Sequence, residues 1–371
     1  MSNREWLLSG CRLSRHLDER KSNNFNWLRL VAALLVLLSH CYGFGHQDPF
    51  QRLTNDLVRG SDIAMPVFFF LSGLLVTQSL DHSPSRLNFL WRRVLRLYPA
   101  IFLFVALTAL VMGPLVTTLP MRDYFADPLF GQYWQTALLV RVYHHLPGVF
   151  TTSPHGRLVN VSLWSLPLEI KLYAMLFLIG LLRSRLVLLG AMFAGIAFLL
   201  AGMVLYTPVE TMLKMVFGPS FLLEPYTRFS VYFLIGVVAY EYRSRIVVYN
   251  YWLFLLPLAW LIAAWIPFPE ILSLVLLPAT VLFAGLKGSR LLSKITPRPD
   301  LSYGIYIWGF PVQQLIITNW NIGNDGLVFG LDLVFTLPLA LLSWYAVESP
   351  ALRWKTKRPS SRTASRTKLR I

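Results

Sequence analysis

Arg29 and His40 are ionisable residues of the first strongly apolar segment, and their spacing gives them a common direction. Such groups are costly inside a membrane helix and usually face a protein interior or a wet cavity. Eleven steps of about 100° end about 20° from the start, so both side chains share a face, about 16 Å apart along the axis. The pair therefore predicts a polar path along one face of the helix, from the Arg29 guanidinium to the titratable imidazole of His40. A snorkelling arginine and a hydrogen-bonded structural histidine are the plainer interpretations.

Two carboxylates are candidates to act with this pair. Asp62 begins the second apolar segment, where it could orient His40 as the partner of a general base or simply cap a helix. Glu169 shares a helix face with Ser165 and Tyr173, and Lys171, about 200° around the helix, is not an obvious ion-pair partner for it. A buried carboxylate of this kind indicates a functional role. A structural ion pair with an arginine of another helix would also explain it.

Two arginines and two tyrosines complete the candidate set. Arg93 and Arg96 share a helix face, where their guanidinium forks would suit phosphate groups. Positive charge that flanks a membrane segment is the alternative explanation. Tyr303 and Tyr306 could line a cavity or serve aromatic packing. Pro311, further along the same segment, would kink the helix or free a backbone carbonyl.

The composition indicates which kind of element must position these residues. The chain is 55% hydrophobic and 14% charged, with a mean hydropathy of +0.53. Soluble domains carry about 25% charged residues, so we predict an all-α, polytopic membrane helix bundle. Two cysteines indicate neither a disulfide framework nor a zinc site. The adjacent His144 and His145 would not share a helix face, and no metal site is predicted.

About ten apolar segments are long enough to cross a bilayer as helices. Their approximate bounds are 25–44, 63–80, 98–118, 162–182, 186–206, 229–243, 250–266, 271–287, 300–320 and 327–346. Of the 34 Lys and Arg residues, 25 fall on one set of alternating connections and seven on the other. The positive-inside rule therefore predicts that both termini are cytoplasmic. The net charge of +16 then reflects topology and contact with membrane lipids, and no nucleic-acid partner is predicted.

Three regions follow from this topology. Residues 1–24 are predicted to be a cytoplasmic segment without a removable signal peptide. Residues 25–348 would form the integral-membrane domain, and 349–371 a basic, disordered cytoplasmic tail. The run Glu348-Ser349-Pro350 is interpreted as the stop of the last helix. The longest external loop, from about residue 120 to 161, could cover a site or hold amphipathic helices.

Several motifs, taken in order, resemble the acyltransferase 3 family, which comprises membrane O-acyltransferases that modify bacterial surface glycans. The resemblance covers about residues 24–355. It rests on Asn26-Trp27-Leu28-Arg29 followed by His40, on Phe68-Phe69-Phe70-Leu71-Ser72-Gly73, on Arg93-x-x-Arg96, on Ser162-Leu163-Trp164-Ser165-Leu166-Pro167-Leu168-Glu169 and on Ser302-Tyr303-Gly304-Ile305-Tyr306. One position departs from the pattern. Gly309 stands where many relatives have a histidine, so the role of that residue does not transfer.

The resemblance implies a multi-pass enzyme of the bacterial inner membrane. It would move an acyl group, most specifically an acetyl group, from acyl-CoA to a sugar hydroxyl of a surface polysaccharide or its lipid-linked precursor. No bound cofactor is expected. His40 would be the general base or a transient acyl carrier, oriented by Asp62 or Glu169. The expected substrate-binding residues are Arg29, Arg93, Arg96, Ser165, Tyr173 and Tyr303. Arg93 and Arg96 would bind the CoA phosphates. Arg29 would stabilise the donor, or the charge that develops on the acyl group during transfer.

Two other classes of function stay open on the sequence. Helices with internal Arg, Glu and His could form a transporter of small anions or lipid-linked sugars, although no inverted repeat is evident. The other class is a non-catalytic subunit of an assembly. The sequence leaves open the acceptor sugar, the acyl chain length and how an acyl group passes the ~16 Å from Arg29 to His40.

Overall fold

The computed structural model describes residues 7–18, 23–42, 46–54, 58–182, 186–187, 189–195, 197, 223–263, 269–288, 299–320 and 322–354. It is mostly helical, at 77%. Its α-helices are α1 (Leu13–Leu17), α2 (Phe25–Cys41), α3 (Pro49–Leu53), α4 (Gly60–Asp81), α5 (Arg86–Leu107), α6 (Gly113–Val116), α7 (Met121–Ala126), α8 (Pro128–Tyr133), α9 (Ser165–Leu182), α10 (Leu223–Glu241), α11 (Trp252–Ala263), α12 (Pro269–Lys287), α13 (Ser302–Trp320), α14 (Asp325–Ser343) and α15 (Ser349–Arg353). The other elements are the strands β1 (Gly10–Arg12) and β2 (Val247–Tyr249), the 3-10 turns Trp134–Leu138 and Ser162–Trp164, and the π-helical turns Thr108–Met112 and Trp344–Glu348.

Several of these helices are suited to a membrane. In the described part of the chain, four helical segments are long and apolar enough to cross one, namely Gly60–Asp81, Arg86–Val116, Ser162–Gly180 and Asp325–Arg353. Shorter apolar helices are Phe25–Cys41, Trp252–Ala263 and Leu272–Lys287. About half of the predicted span 186–206 lies outside the described residues. The prediction of a helical membrane protein is confirmed, whereas the ten spans and the cytoplasmic termini stay predictions.

Helix α4 packs between α2 and α10. Its approach to α10 is close because a Cβ added to Gly73 would lie 1.9 Å from the Phe233 backbone oxygen, and one added to Gly236 would lie 2.2 Å from the Phe70 backbone oxygen. Small residues permit such backbone contact between helices. Helix α13 packs against both α2 and α14. Helix α2, which carries Arg29 and His40, is therefore enclosed by α4 and α13.

Residues 7–18, before the first apolar helix, add a short two-stranded sheet to the otherwise helical fold that the sequence predicts. Strand β1 pairs antiparallel with β2, with Gly10 opposite Tyr249 and Arg12 opposite Val247. Leu13 and Leu17 of α1 are buried. The pairing satisfies backbone groups of both short segments. Neither strand is visible in the sequence because each is only three residues long and depends on a distant partner.

The last helix does not end at the predicted position. It continues from α14 through the π-helical turn Trp344–Glu348 into α15 and reaches Arg353. Pro350 lies in the first turn of α15, directly after this π-helical turn, and irregular turns of this kind are where helices accommodate a proline. Glu348 is buried. The predicted stop is therefore wrong at this point, and residues 355–371 of the predicted tail lie outside the described residues.

The long connection before α9 carries short helices and then crosses α13. Helices α7 and α8 and a 3-10 turn occupy its first part. Pro311 of α13 lacks the N–H that would bind the Ile307 carbonyl oxygen, and Asn160 Nδ2 donates to that oxygen at 2.7 Å. Gln314 Nε2 donates to the Leu158 backbone oxygen at 2.8 Å. The prediction that Pro311 frees a carbonyl is confirmed, and that carbonyl fastens the loop to the bundle.

Candidate active site

A cavity of about 360 Å³ opens between α2, α4, α5, α9, α13 and the end of the last helix. Small-molecule sites typically enclose about 300–1,000 Å³. Apolar side chains such as Met65, Phe68 and Leu71 form much of its wall. Seven of the nine predicted site residues line it: Arg29, Arg93, Arg96, Ser165, Glu169, Tyr173 and Tyr303. The other two, His40 and Asp62, are outside its lining.

Arg29 and Arg96 share one carboxylate in this cavity. Asp300 Oδ2 lies 3.2 Å from Arg29 Nη1 and 2.7 Å from Arg96 Nη2. Glu348 Oε2 lies 3.6 Å from Arg96 Nη1. We call these four residues the arginine end of the bundle. Neither carboxylate belongs to the predicted site, because nothing local in the sequence pairs Asp300 with an arginine 204 residues away.

Arg93 lines the same cavity as Arg96, in agreement with the predicted shared face, but its partners are neutral. Its Nη2 donates to Ser79 Oγ at 3.1 Å, and its guanidinium lies 5.8 Å from the centroid of the Tyr173 ring. Within the described residues Arg93 has no ion pair, and its Nε is buried without a hydrogen-bond partner. Of the three arginines, Arg93 therefore has the most capacity for an added anion.

Glu169 forms a compact polar group with two neighbours on the cavity wall. Its Oε1 accepts a hydrogen bond from Ser72 Oγ at 3.1 Å and a short one from the Tyr173 hydroxyl. The Ser72 and Tyr173 oxygens are themselves 3.2 Å apart. The predicted common face of Ser165, Glu169 and Tyr173 is confirmed, since all three line the cavity. The hydrogen bonds of Glu169 thus point into the cavity rather than toward His40.

His40 lies in the last turn of α2, at the opposite end of that helix from Arg29. We call His40 and the residues that contact it the histidine end. His40 Nδ1 is 3.4 Å from Ser162 Oγ. The imidazole packs edge-on against Phe310, with ring centroids 5.5 Å apart. Because Nδ1 faces Ser162, Nε2 is the ring nitrogen left for a substrate.

Helix α13 supports His40 from one side. Gln313 Nε2 donates to the His40 backbone oxygen, whereas Gln313 Oε1 is buried with no partner among the described residues. One turn earlier, a Cβ added to Gly309 would lie 2.3 Å from Leu37 Cδ1. A side chain at this position would have to displace the Leu37 methyl group. Glycine therefore fits the close passage of α13 beside α2.

A polar connection joins the cavity to His40. The Tyr306 hydroxyl donates to the Ser162 backbone oxygen and lies 2.5 Å from Ser165 Oγ. Tyr306 and Ser165 line the cavity, while Ser162 Oγ contacts the imidazole of His40. The sequence placed these groups on separate helices without relating them. In the tertiary structure, Ser162 and Tyr306 bridge the gap between the arginine-lined cavity and the histidine.

Asp62 makes the contacts of a helix cap. Its Oδ2 accepts a hydrogen bond from the Arg59 backbone N–H at 3.0 Å, at the start of α4. This is the capping interpretation that the sequence allowed. The other interpretation, in which Asp62 orients His40, has no supporting contact among the described residues.

Asp48 is the buried carboxylate beside the histidine end, and it was not predicted. Its side chain accepts hydrogen bonds from Ser39 Oγ and the Gly60 N–H, both at 2.8 Å, and from the Phe50 and Gln51 N–H groups, both at 2.9 Å. Burial raises the pKa of Asp48, but these four donors outweigh it and hold the pKa below its ordinary value. Asp48 thus ties the end of α2 to α3 and α4.

The loop histidines serve the loop itself. Ring nitrogens of His144 and His145 lie 2.6 and 3.1 Å from the backbone oxygens of Asn160 and Arg157. Burial lowers the pKa of His155, against the opposing effect of a nearby carboxylate. In the part of the chain that is described, no cluster of three or more His, Cys, Asp or Glu residues is arranged to hold a metal ion.

Comparison with known proteins identifies the family of the chain. The family model described as "Acyltransferase domain" matches residues 22–347. The chain belongs to the acyltransferase 3 family. It is a membrane O-acyltransferase, and the predicted family is confirmed.

Three curated relatives span nearly the same length as this chain. It is 30% identical to Nodulation protein 10 of Rhizobium leguminosarum bv. viciae, over 90% of this chain and 94% of that protein. It is 27% identical to an O-acetyl transferase of Shigella phage Sf6, over 88% and 95%. It is 23% identical to a putative membrane-bound transacylase, BcsY, of Komagataeibacter xylinus, over 92% and 86%. No solved structure matches the chain.

Proposed function

We propose that this acyltransferase moves an acyl group from acyl-CoA to a sugar hydroxyl of a bacterial surface polysaccharide or its lipid-linked precursor. The acyl group that we propose is acetyl. The observation that carries the proposal is the cavity lined by Arg29, Arg93 and Arg96 and connected to His40 through Tyr306 and Ser162. The relative named O-acetyl transferase supports acetyl as the group transferred.

The arginine end is the donor side of this proposal. Arginine forks bind phosphate groups bidentately, and Arg93 has the capacity to do so without giving up an ion pair among the described residues. The apolar wall from Met65 to Val76 suits the acyl group and the arm that carries it. The excess of Lys and Arg on one set of connections supports a cytoplasmic position for this end in the inner membrane.

The histidine end is the acceptor side. The sugar hydroxyl gives its proton to His40 Nε2 as its oxygen attacks the thioester carbonyl carbon. Collapse of the tetrahedral intermediate breaks the C–S bond, and the imidazolium returns the proton to the leaving thiolate. The hydrogen bond between Nδ1 and Ser162 Oγ keeps the ring oriented. In the alternative role as acyl carrier, Nε2 itself would attack the thioester before the sugar does.

The proposal is tested by acetyl-CoA turnover of the purified protein with a glycan acceptor. His40→Ala is expected to lower turnover by about 10²–10⁴-fold, the usual effect of a general acid–base residue. His145→Ala is the matched control, because that ring contacts only the loop backbone in the described chain. Normal glycan acylation in a His40→Ala strain would exclude the role of His40.

The other functional classes predict different results in two experiments. If the chain is the transferase, mass spectrometry should show that the surface glycans of a deletion strain lack the acyl group. If the chain is a transporter, the purified protein should release no CoA from acetyl-CoA. A non-catalytic assembly subunit would leave the acyl mass on the glycan.

A further inference from the structure

Two cations of the cavity are matched by carboxylates of the protein itself. Asp300 Oδ2 contacts Arg29 at 3.2 Å and Arg96 at 2.7 Å, and Glu348 lies 3.6 Å from Arg96. Two guanidinium groups therefore face two acidic side chains of the protein. All but Glu348 line the cavity, so the cluster borders the space that a substrate would enter.

The two oxygens of Asp300 have different partners. Oδ1 accepts hydrogen bonds from the Ser302 backbone N–H at 3.3 Å and from Ser302 Oγ at 2.7 Å, at the start of α13. Oδ2 contacts the two arginines. One oxygen therefore caps a helix, which requires no charge. The other occupies the point at which two guanidinium groups converge.

That point is where an anionic oxygen of a ligand would bind best. A phosphate group beside the intact cluster would meet the carboxylates of Asp300 and Glu348, and like charges brought together are unfavourable. A phosphate oxygen that took the place of Asp300 Oδ2 would instead contact both guanidinium groups. Arg93 lines the same cavity and would face a second phosphate oxygen.

We propose that Asp300 is an internal substitute for a phosphate group of the acyl-CoA donor, and that donor binding displaces its Oδ2 from Arg29 and Arg96. This inference rests on the proposed function and adds where the donor phosphate binds. In the absence of donor, Asp300 keeps the two arginines paired inside the bundle. Donor binding replaces the Asp300 carboxylate with a phosphate group, so Arg29 and Arg96 stay paired with an anion.

The variant Asp300→Asn separates the two jobs of the residue. Its amide oxygen can still cap α13, while the negative charge is lost. We expect the variant without ligand to unfold at a lower temperature than the wild type, because two arginines lose their shared anion. We expect it to bind CoA more tightly, by roughly tenfold or more, the scale of one charge-assisted hydrogen bond. Both quantities are measured in zwitterionic nanodiscs, by thermal unfolding and by calorimetric titration with CoA.

Asp81→Asn is the matched control. It removes a carboxylate paired with Arg243 at 3.4 Å, outside the cavity lining. Its CoA affinity should equal that of the wild type. Asp300→Ser, whose hydroxyl can also cap a helix, provides a second uncharged variant if Asp300→Asn does not fold, and the same increase in affinity is expected.

The outcomes separate this inference from the proposed function. If the wild type binds CoA and neither uncharged variant binds it more tightly, Asp300 does not compete with the donor and the inference is overturned alone. If the wild type does not bind CoA, the proposed donor itself is wrong. Nanodiscs with anionic lipid and no CoA form a third arm. Stabilisation of Asp300→Asn by that lipid, without any by CoA, would assign the site to a lipid phosphate and overturn the inference.

Discussion

Asp300 and Asp48 are both carboxylates next to an end of α2, yet they are satisfied in opposite ways. Asp300 is held by two guanidinium groups in a cavity open to a substrate. Asp48 is held by one hydroxyl and three backbone N–H groups, and it is 1% exposed. A ligand oxygen can take the place of Asp300 Oδ2, because the partners of that oxygen are guanidinium groups that line the cavity, while Oδ1 keeps its hydrogen bonds to Ser302. Asp48 is enclosed by its four donors and does not line the cavity, so a ligand there does not reach it.

This contrast separates the roles of the two ends of the bundle. At the arginine end, the charged groups contact each other at the wall of a cavity and can exchange partners when an anionic donor binds. At the histidine end, Asp48 fixes Ser39, the residue before His40, to the start of α4 through the Gly60 N–H. We infer that one end is built for binding and release, and the other for a fixed position of the imidazole.

The largest effect should appear where charge is removed from the arginine end. Arg96→Ala leaves Asp300 and Glu348 without this cation, and breaking a largely buried ion pair costs about 3–5 kcal/mol in the free energy of unfolding. Arg93→Ala breaks no ion pair among the described residues, so it should cost less stability while weakening CoA binding by about 10- to 100-fold. Denaturant unfolding in detergent and CoA titration measure both quantities. Equal loss of stability in the two variants would contradict the assigned difference between them.

The next effect concerns Asp48. Asp48→Asn should lower the free energy of unfolding by about 3 kcal/mol, since hydrogen bonds to a charged acceptor are worth about 1.5–3 kcal/mol each and the amide can replace only some of them. Added CoA should stabilise Asp48→Asn and the wild type equally, so that the difference in free energy of unfolding between them persists. For Asp300→Asn, which is expected to bind CoA more tightly, CoA should shrink the corresponding difference. A difference that shrinks for Asp48→Asn as well would remove the distinction between the two aspartates.

Asp48 also predicts a pH dependence with a defined sign. Its pKa in the folded protein lies below the ordinary value of 3.8. The stability that it contributes is therefore complete above the ordinary value and is lost as the pH falls through the folded pKa. The difference in unfolding temperature between the wild type and Asp48→Asn should be constant from pH 7 to about 5 and shrink below about 4. A difference that grows in acid would reverse the assignment.

The smallest effect distinguishes the two buried glutamines of α13. Gln314→Leu leaves Ser153 Oγ and the Gly156 and Leu158 backbone oxygens without their partner. It should cost about 2 kcal/mol and loosen the loop over the histidine end. Gln313→Leu also removes a buried Oε1 that has no partner in the described part of the chain, so its net cost should be about 1 kcal/mol or less. Hydrogen exchange of residues 153–162 measures the difference, and an equal response in both variants would contradict it.

Much of the cavity follows from helical periodicity. Arg93 and Arg96 fall on one face, as do Ser165, Glu169 and Tyr173, and all of them line the cavity. Such relations are local, because a helix repeats every 3.6 residues whatever it packs against. The strong apolar character of the chain predicted helices in a membrane for the same reason.

The partners of these residues did not follow from periodicity. Asp62 is the charged residue that starts the second span, but it caps its own helix. The carboxylate that holds the end of α2 is instead Asp48, at the start of the short helix α3. Glu348 resembles a helix stop because Pro350 follows it, yet the helix continues. Asp62 thus follows the local one of its two interpretations, whereas Asp48 and Glu348 contact residues of other helices that the local pattern does not show.

The sequence by itself determined that this chain is helical, belongs in a membrane and presents arginine and histidine on one face of its first apolar helix. Its motifs were sufficient to predict the acyltransferase 3 family. Only the tertiary structure decided that Asp300 joins Arg29 across 271 residues of chain and that Tyr306 and Ser162 lead from the cavity to His40. The physical reason is the distance along the chain over which each interaction acts. Helical faces are set by neighbouring residues, whereas ion pairs and hydrogen bonds between helices depend on which helices pack together.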